Sequence, residues 1–171
     1  GMKLTSPAFK NKGEIPEIHA LNYGNKIPEF NCEDAPNNTL SLAMIIDDPD
    51  AKKVPKKLGG QGKIWVHYIA WNMVNFAGSD MIAPYRDSVE GMTSFQRTGY
   101  DGPAPPDKEH TYRFSIFALD TKLGLDPKTT TKTELMKAMK GCILDQDVLL
   151  GTFEDPKLRK ERLAKEAKDK K

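Results

Sequence analysis

The chain has 171 residues, of which 26 are Lys or Arg and 24 are Asp or Glu, so its net charge is +2. This length is sufficient for one domain with its own apolar core. No apolar run approaches the roughly 20 residues that a transmembrane helix needs, which excludes a spanning helix. The two cysteines, Cys32 and Cys142, form no CxxC motif, and we expect reduced thiols.

The two ends of the chain carry further expectations. We interpret Gly1 as an expression remnant and residues 2–171 as a single domain. Residues 2–7 contain no apolar signal segment, so we expect a cytoplasmic protein. Basic residues concentrate in residues 157–171 and again in residues 52–57. A solvated tail and loop is the favoured interpretation, and attraction to an anionic partner is the alternative. Aromatic residues do not interleave with these lysines, so we expect no nucleic-acid partner.

Several short strand-like runs separated by turn formers predict a mostly β domain. The runs lie at residues 40–46, 64–73 and 110–119. Alternation with a period of two places Trp65 and His67 on one face of the second strand, and His110 and Tyr112 on one face of the third. The third run is apolar on both faces, which is typical of a central, covered strand.

Two helices are predicted towards the C-terminus. Thr131 and Glu134 have the spacing of a capping box, and apolar residues follow at helical intervals until Gly141. The second helix is predicted to begin at Pro156, with Asp155 as its N-cap. Its apolar stripe is thin, so we expect it to pack weakly.

The candidate site combines a stiff Gly/Pro loop at residues 99–107 with two histidines, His67 and His110, and the acidic turn at residues 48–50. A carboxylate that accepts from one imidazole nitrogen fixes the tautomer and favours the charged form. The other nitrogen then donates to an anion, together with loop amides such as those of Gly102 and Ala104. This combination predicts a small concave site for an oxyanion. The alternative is an ordinary surface turn beside satisfied core histidines.

Other chemistries lack their motifs. There is no HxH, HExxH or clustered Cys/His pattern for a metal, and no glycine-rich phosphate or dinucleotide loop. The nucleophile elbow GxSxG is also missing. We therefore expect no cofactor, no metal and no enzymatic activity. The alternative is a hydrolase that uses His67 or His110 as general base, with Asp48 behind it.

Four segments occur in a fixed order along the chain: Asp48-Pro49-Asp50-Ala51, Trp65-Val66-His67, Gly102-Pro103-Ala104-Pro105-Pro106 and His110-Thr111-Tyr112. In this order they resemble the phosphatidylethanolamine-binding protein family, and most closely its bacterial, Raf kinase inhibitor-like branch. Residues 4–9, 139–141 and 150–153 extend the similarity over nearly the whole chain.

The resemblance implies an antiparallel β-sandwich with peripheral helices, one of them C-terminal. It also implies a non-enzymatic protein that binds phosphate-like or carboxylate groups, including phospholipid headgroups. Regulation of a protein partner, such as a kinase or protease, and a homodimer are implied as well. Carried over by position, the pocket residues are Asp48, Asp50, Trp65, His67, Gly102, Pro105, His110 and Tyr112.

The resemblance also assigns roles to these residues. His67 and His110 donate to the anion, Tyr112 supplies a hydroxyl and Trp65 forms an apolar wall. Asp48 orients a donor, and Asp50 shapes the turn. The chain departs from the family pattern at four positions, where Lys52, Ala104, Lys108 and Thr111 stand. All four lie near the predicted pocket, so they bear on its specificity.

Overall fold

A computed structural model describes residues 1–75, 79–83 and 88–170 of the chain. Nine strands and two α-helices lie in this part of the chain. The strands are β1 (Lys3–Thr5), β2 (Gly13–Glu14), β3 (Phe30–Glu33), β4 (Ser41–Asp48), β5 (Trp65–Asn75), β6 (Met81–Ala83), β7 (Val89–Glu90), β8 (His110–Leu119) and β9 (Ile143–Phe153). The helices are α1 (Lys132–Met139) and α2 (Pro156–Asp169).

The three strands predicted from the sequence are the centre of the sheet. β4 lies between β5 and β8 and is antiparallel to both. All residues of β4 are buried, as expected of a strand covered on both faces. β8 in turn pairs with β9, so it is also an inner strand. The prediction of a mainly β domain is confirmed.

The sheet curls into a half-barrel, and this corrects the expectation of a sandwich. The strand order is β1-β3-β6-β5-β4-β8-β9-β2, with β7 paired to β5. The amides of Met2 and Leu4, beside and within β1, donate to Asp145 and Asp147 of β9 at 2.9 and 2.7 Å. Since β1 and β9 lie far apart in the strand order, the sheet must bend to bring them together.

A bulge in β5 explains part of this curvature. The pairing of β5 with β4 shifts between Leu42 and Met44, and Asn72 lies opposite this shift with a left-handed backbone (φ 56°). Such a bulge bends the strand and increases its twist. Beyond Asn72 the same strand pairs with β6, so one bent strand joins both halves of the sheet.

The sheet has an apolar core on each face. Leu135 and Met139 of α1 pack with Ile69 and Trp71 on the outer face, and a larger cluster fills the inner, concave face. α1 begins as predicted, because the Glu134 carboxylate accepts from the Thr131 amide and hydroxyl at 3.3 and 2.7 Å.

α2 also begins as predicted, and it lies on the surface. The Asp155 side chain accepts from the Lys157 amide at 2.8 Å, as an N-cap does. None of the described residues of this helix is buried, and the buried Glu154 carboxylate just before it bonds to Arg159 and Arg162. No helix in the described ranges is long and apolar enough to cross a membrane.

Candidate ligand-binding site

The candidate site lies where three central strands meet. Because β4 is antiparallel to β5 and β8, its last residues adjoin the first residues of both neighbours. Asp48 pairs with Trp65 at the start of β5, and Asp47 pairs with Arg113 near the start of β8. Residues far apart in sequence therefore lie together at one end of the sheet.

A cavity of about 180 Å³ opens at this end. Six of the eight predicted residues line it: Asp48, Trp65, His67, Pro105, His110 and Tyr112. The other lining residues come from the segment between β4 and β5 and from the loops before β8: Ala51, Val54, Leu58, Gly59, Gly60, Gln61, Lys63, Phe95, Ala104 and Pro106. Helix α2 contributes none of these lining residues.

His110 is held by two carboxylates. Its Nδ1 lies 2.6 Å from Asp48 Oδ2, and its Nε2 lies 2.7 Å from Asp107 Oδ1. Burial disfavours the imidazolium, but the hydrogen bonds and charges of both aspartates outweigh it and raise the pKa of His110 above its ordinary value. His110 is therefore a buried cation whose two N–H groups are both occupied. This differs from the expected role, in which one N–H donates to a ligand.

His67 is held differently. Its Nδ1 lies 2.7 Å from the backbone carbonyl of Asp101, which can only accept, so Nδ1 carries a hydrogen. Burial lowers the pKa of His67, although the Asp101 carbonyl and the Asp48 charge act in the opposite direction. The neutral ring therefore presents an unprotonated Nε2, which accepts a hydrogen bond, whereas an anion requires a donor.

Two further polar groups of the lining have unused hydrogen-bonding capacity. Asp48 Oδ1 is buried and has no hydrogen-bond partner among the described residues. Burial, followed by the charge of Asp48, raises the pKa of Tyr112 well above its ordinary value, so its hydroxyl stays protonated. Because Tyr112 lines the cavity, this protonated hydroxyl is a candidate donor to a ligand.

A positive charge lies beside the cavity. Lys63 lines it, with its Nζ 5.4 Å from the centre of the Trp65 ring. A cation over an indole ring is a favourable arrangement, and it keeps the ammonium group beside the apolar wall. The free cavity thus offers donors on Tyr112 and Lys63, and acceptors on His67 and Asp48.

Asp50 and Gly102 are the two predicted residues that lie outside the cavity lining. Asp50 Oδ2 accepts from the Thr111 amide at 2.8 Å, so it fixes the start of β8. The Gly102 amide donates to Asn25 Oδ1 at 2.7 Å, which occupies the donor expected for the ligand. A Cβ at Gly102 would lie 1.8 Å from the His19 carbonyl oxygen, so this glycine is needed for a close backbone approach.

The loop at residues 99–107 is fixed by polar contacts of Asp101. Its carboxylate accepts from Arg97 at 2.7 and 2.6 Å and from Asn25 at 3.0 Å, while its carbonyl accepts from His67. Sequence reasoning missed Asp107, Lys63 and Phe95 of this site. Asp107 had a detectable signal, since it lies three residues before His110 in a proline-restrained loop, whereas Phe95 had none.

The cavity lacks an obvious nucleophile. No serine, threonine or cysteine is among the described residues that line it. His110 and Asp48 have the spacing of a catalytic pair, but Asp107 occupies the nitrogen that would act as base. These observations do not support the hydrolase alternative. Both cysteines are free and lie outside the lining.

Fold and cavity together define the class: a mainly β domain with a small polar cavity at one end of its central strands. The family model of the phosphatidylethanolamine-binding proteins matches residues 5–154. A UPF0098 protein of Chlamydia pneumoniae is 36% identical over 158 residues, which cover 90% of this chain and 99% of that protein. The chain therefore belongs to the phosphatidylethanolamine-binding protein family, a family of binding proteins.

Solved structures agree with this assignment. CT736 from Chlamydia trachomatis is 33% identical, with a TM-score of 0.78 and coverage of 91% of this chain and 98% of that one. YbcL of E. coli is 21% identical with a TM-score of 0.74, covers 90% of this chain and 98% of its own, and shows the shared fold alone. The family resemblance predicted from the sequence is confirmed, and its narrower Raf kinase inhibitor-like branch stays a prediction.

Proposed function

We propose that this protein binds small molecules through a phosphate-like or carboxylate group, without chemical turnover, in the cavity at the end of β4, β5 and β8. One observation carries the proposal: His67, His110 and the Tyr112 hydroxyl line one small cavity beside Lys63, with no serine, threonine or cysteine among the described lining residues. A cavity with a few convergent polar groups and residues of perturbed pKa is typical of a ligand site.

The bound group is expected to enter together with one proton. An anion accepts from the Tyr112 hydroxyl and from Lys63, but the neutral Nε2 of His67 and the Oδ1 of Asp48 offer it only acceptors. A proton on the ligand, as in a monoprotonated phosphate or a carboxylic acid, resolves this conflict. A proton on Nε2 of His67 resolves it equally well, because a nearby anion favours the imidazolium.

The test is calorimetric titration with acetate, inorganic phosphate and phosphorylethanolamine. We expect Tyr112→Phe, which removes one hydroxyl, to weaken binding about tenfold or more, as does the loss of a hydrogen bond to a charged group. His67→Gln is expected to weaken it as well. His19→Gln is the matched control, because His19 is a buried histidine that bonds the Lys26 carbonyl outside the cavity.

Two results would reject the proposal. One is a wild-type protein that binds none of the three probes. The other is equal binding by wild type, Tyr112→Phe and His67→Gln. A comparison of phosphate with phosphorylethanolamine shows whether a headgroup or only its anionic part is recognised. Regulation of a kinase or protease and formation of a homodimer stay predictions.

A further inference from the structure

The occupied state of His110 is the starting observation. An imidazolium has two N–H donors, and here Asp48 and Asp107 accept from both. The ring has no polar atoms besides these two nitrogens, and the His110 side chain is only 1% exposed. It therefore offers a ligand no free hydrogen-bonding group. Although His110 lines the cavity, it cannot donate to a bound anion while both aspartates stay in place.

The two carboxylates are held with different strength. Asp48 lies at the end of the central strand β4, and its side chain is 5% exposed. Asp107 lies in the loop before β8, its side chain is 14% exposed, and His110 is its one hydrogen-bond partner among the described residues. Lys108 and Glu109, which follow it, are exposed. Asp107 can therefore turn towards water, whereas Asp48 cannot leave without being buried unpaired.

We propose that Asp107 is an internal competitor, whose carboxylate a ligand anion must displace from Nε2 of His110. This inference rests on the proposed function of the cavity. The exchange is balanced in charge, because a monoanion replaces one carboxylate beside the same imidazolium. Asp107 thus lowers the affinity of the site for every anion that must bind His110.

The size of the effect follows from the competition. If the bond between Asp107 and His110 has the strength usual for a charge-assisted hydrogen bond, the free protein is in the displaced state between about one tenth and about one hundredth of the time. The apparent affinity of an anion is reduced by that same fraction. Removing the competitor should therefore raise the affinity by about tenfold to about a hundredfold.

The experiment compares Asp107→Ala, Asp107→Asn and Glu109→Gln with wild type, using acetate and inorganic phosphate as probes in calorimetry. Asp107→Ala removes the competitor, and Asp107→Asn keeps its shape but not its charge. Glu109→Gln is the matched control. Glu109 is exposed and lies two residues after Asp107, and its substitution also removes one negative charge. A thermal unfolding curve for each variant verifies that it is folded.

The expected result is that Asp107→Ala binds at least about tenfold more tightly than wild type, with a smaller gain for Asp107→Asn and no change for Glu109→Gln. In the imidazole ¹⁵N spectrum of wild type, saturation with acetate should shift the Nε2 signal of His110, because its partner changes. If wild type binds a probe and Asp107→Ala binds it with equal affinity, Asp107 is not a competitor, and the proposed function stands. Binding by none of the four proteins would overturn both.

Discussion

The backbone carbonyl of Asp101 accepts a hydrogen bond from Nδ1 of His67 at 2.7 Å, and this bond links β5 to the loop at residues 99–107. It also determines what the site can do. With Nδ1 occupied and burial lowering the pKa of the ring, the free protein presents an acceptor at Nε2. Under the proposed function, a ligand anion therefore binds together with a proton, either on the ligand or on His67.

Binding of acetate should take up about one proton at neutral pH. The pKa of His67 lies below 6.5 in the free protein, and a bound anion raises it. Above the free pKa, affinity should fall by up to tenfold per pH unit, because the anion-bound state holds the extra proton. Calorimetry in two buffers of different ionisation enthalpy counts this proton. His67→Gln should bind acetate without proton uptake, and undiminished uptake in that variant would assign the proton elsewhere.

The contributions of the two cavity histidines to the free energy of unfolding should together be greatest near pH 6.5. The raised pKa of His110 contributes stability that is complete below about pH 6.5 and is lost as pH rises through its folded pKa. The lowered pKa of His67 contributes stability that is present above about pH 6.5 and is lost as pH falls. Each slope is limited to about 1.4 kcal/mol per pH unit for one proton.

Urea unfolding across pH 4–9 measures these contributions as differences between wild type and each variant. The difference in the free energy of unfolding between wild type and His110→Gln should shrink as the pH rises above about 6.5. The difference between wild type and His67→Gln should shrink as the pH falls below about 6.5. Parallel curves for wild type and both variants would contradict the assigned pKa directions.

Local signals explain why much of the fold was predictable. The alternation that places His67 and Tyr112 on strands and the capping box at Thr131 depend on neighbouring residues only. The order of the family motifs placed Asp48, His67 and His110 in one site. Six of the eight predicted residues line the same cavity. Five of them lie on β4, β5 or β8, whose antiparallel pairing brings them to one end of the sheet, and Pro105 reaches the cavity from the 99–107 loop.

The remaining features depend on contacts that no local pattern encodes. The curl of the sheet depends in part on a bulge in β5, where Asn72 has a left-handed backbone. Gly102 matched a family motif, but its amide is occupied by Asn25 from a distant loop. Asp107 was visible beside His110 in sequence, yet its contact with Nε2 depends on the path of the loop between them. Such pairings are set by the whole fold.

Asp50 should support the structure and contribute little to affinity. Its carboxylate accepts from the Thr111 amide at 2.8 Å and lies outside the cavity lining. Asp50→Ala should lower the free energy of unfolding by about 1.5–3 kcal/mol, since a charge-assisted hydrogen bond is lost. Asp50→Asn keeps an oxygen acceptor and should cost less. Acetate affinity of the folded variants should change less than about threefold. A large loss of affinity at unchanged stability would instead make Asp50 a ligand-binding residue.

Gly102→Ala should be strongly destabilising although it adds a single methyl group. The new Cβ would lie 1.8 Å from the His19 carbonyl oxygen, a backbone atom that cannot move without shifting the 99–107 loop. We expect a loss of about 3 kcal/mol in urea unfolding, at the upper end of the usual cost of overpacking. Gly124→Ala is the matched control, because its Cβ meets nothing within 4 Å. Equal midpoints for the two variants would contradict this prediction, because they would mean that the loop can move away from His19 at little cost.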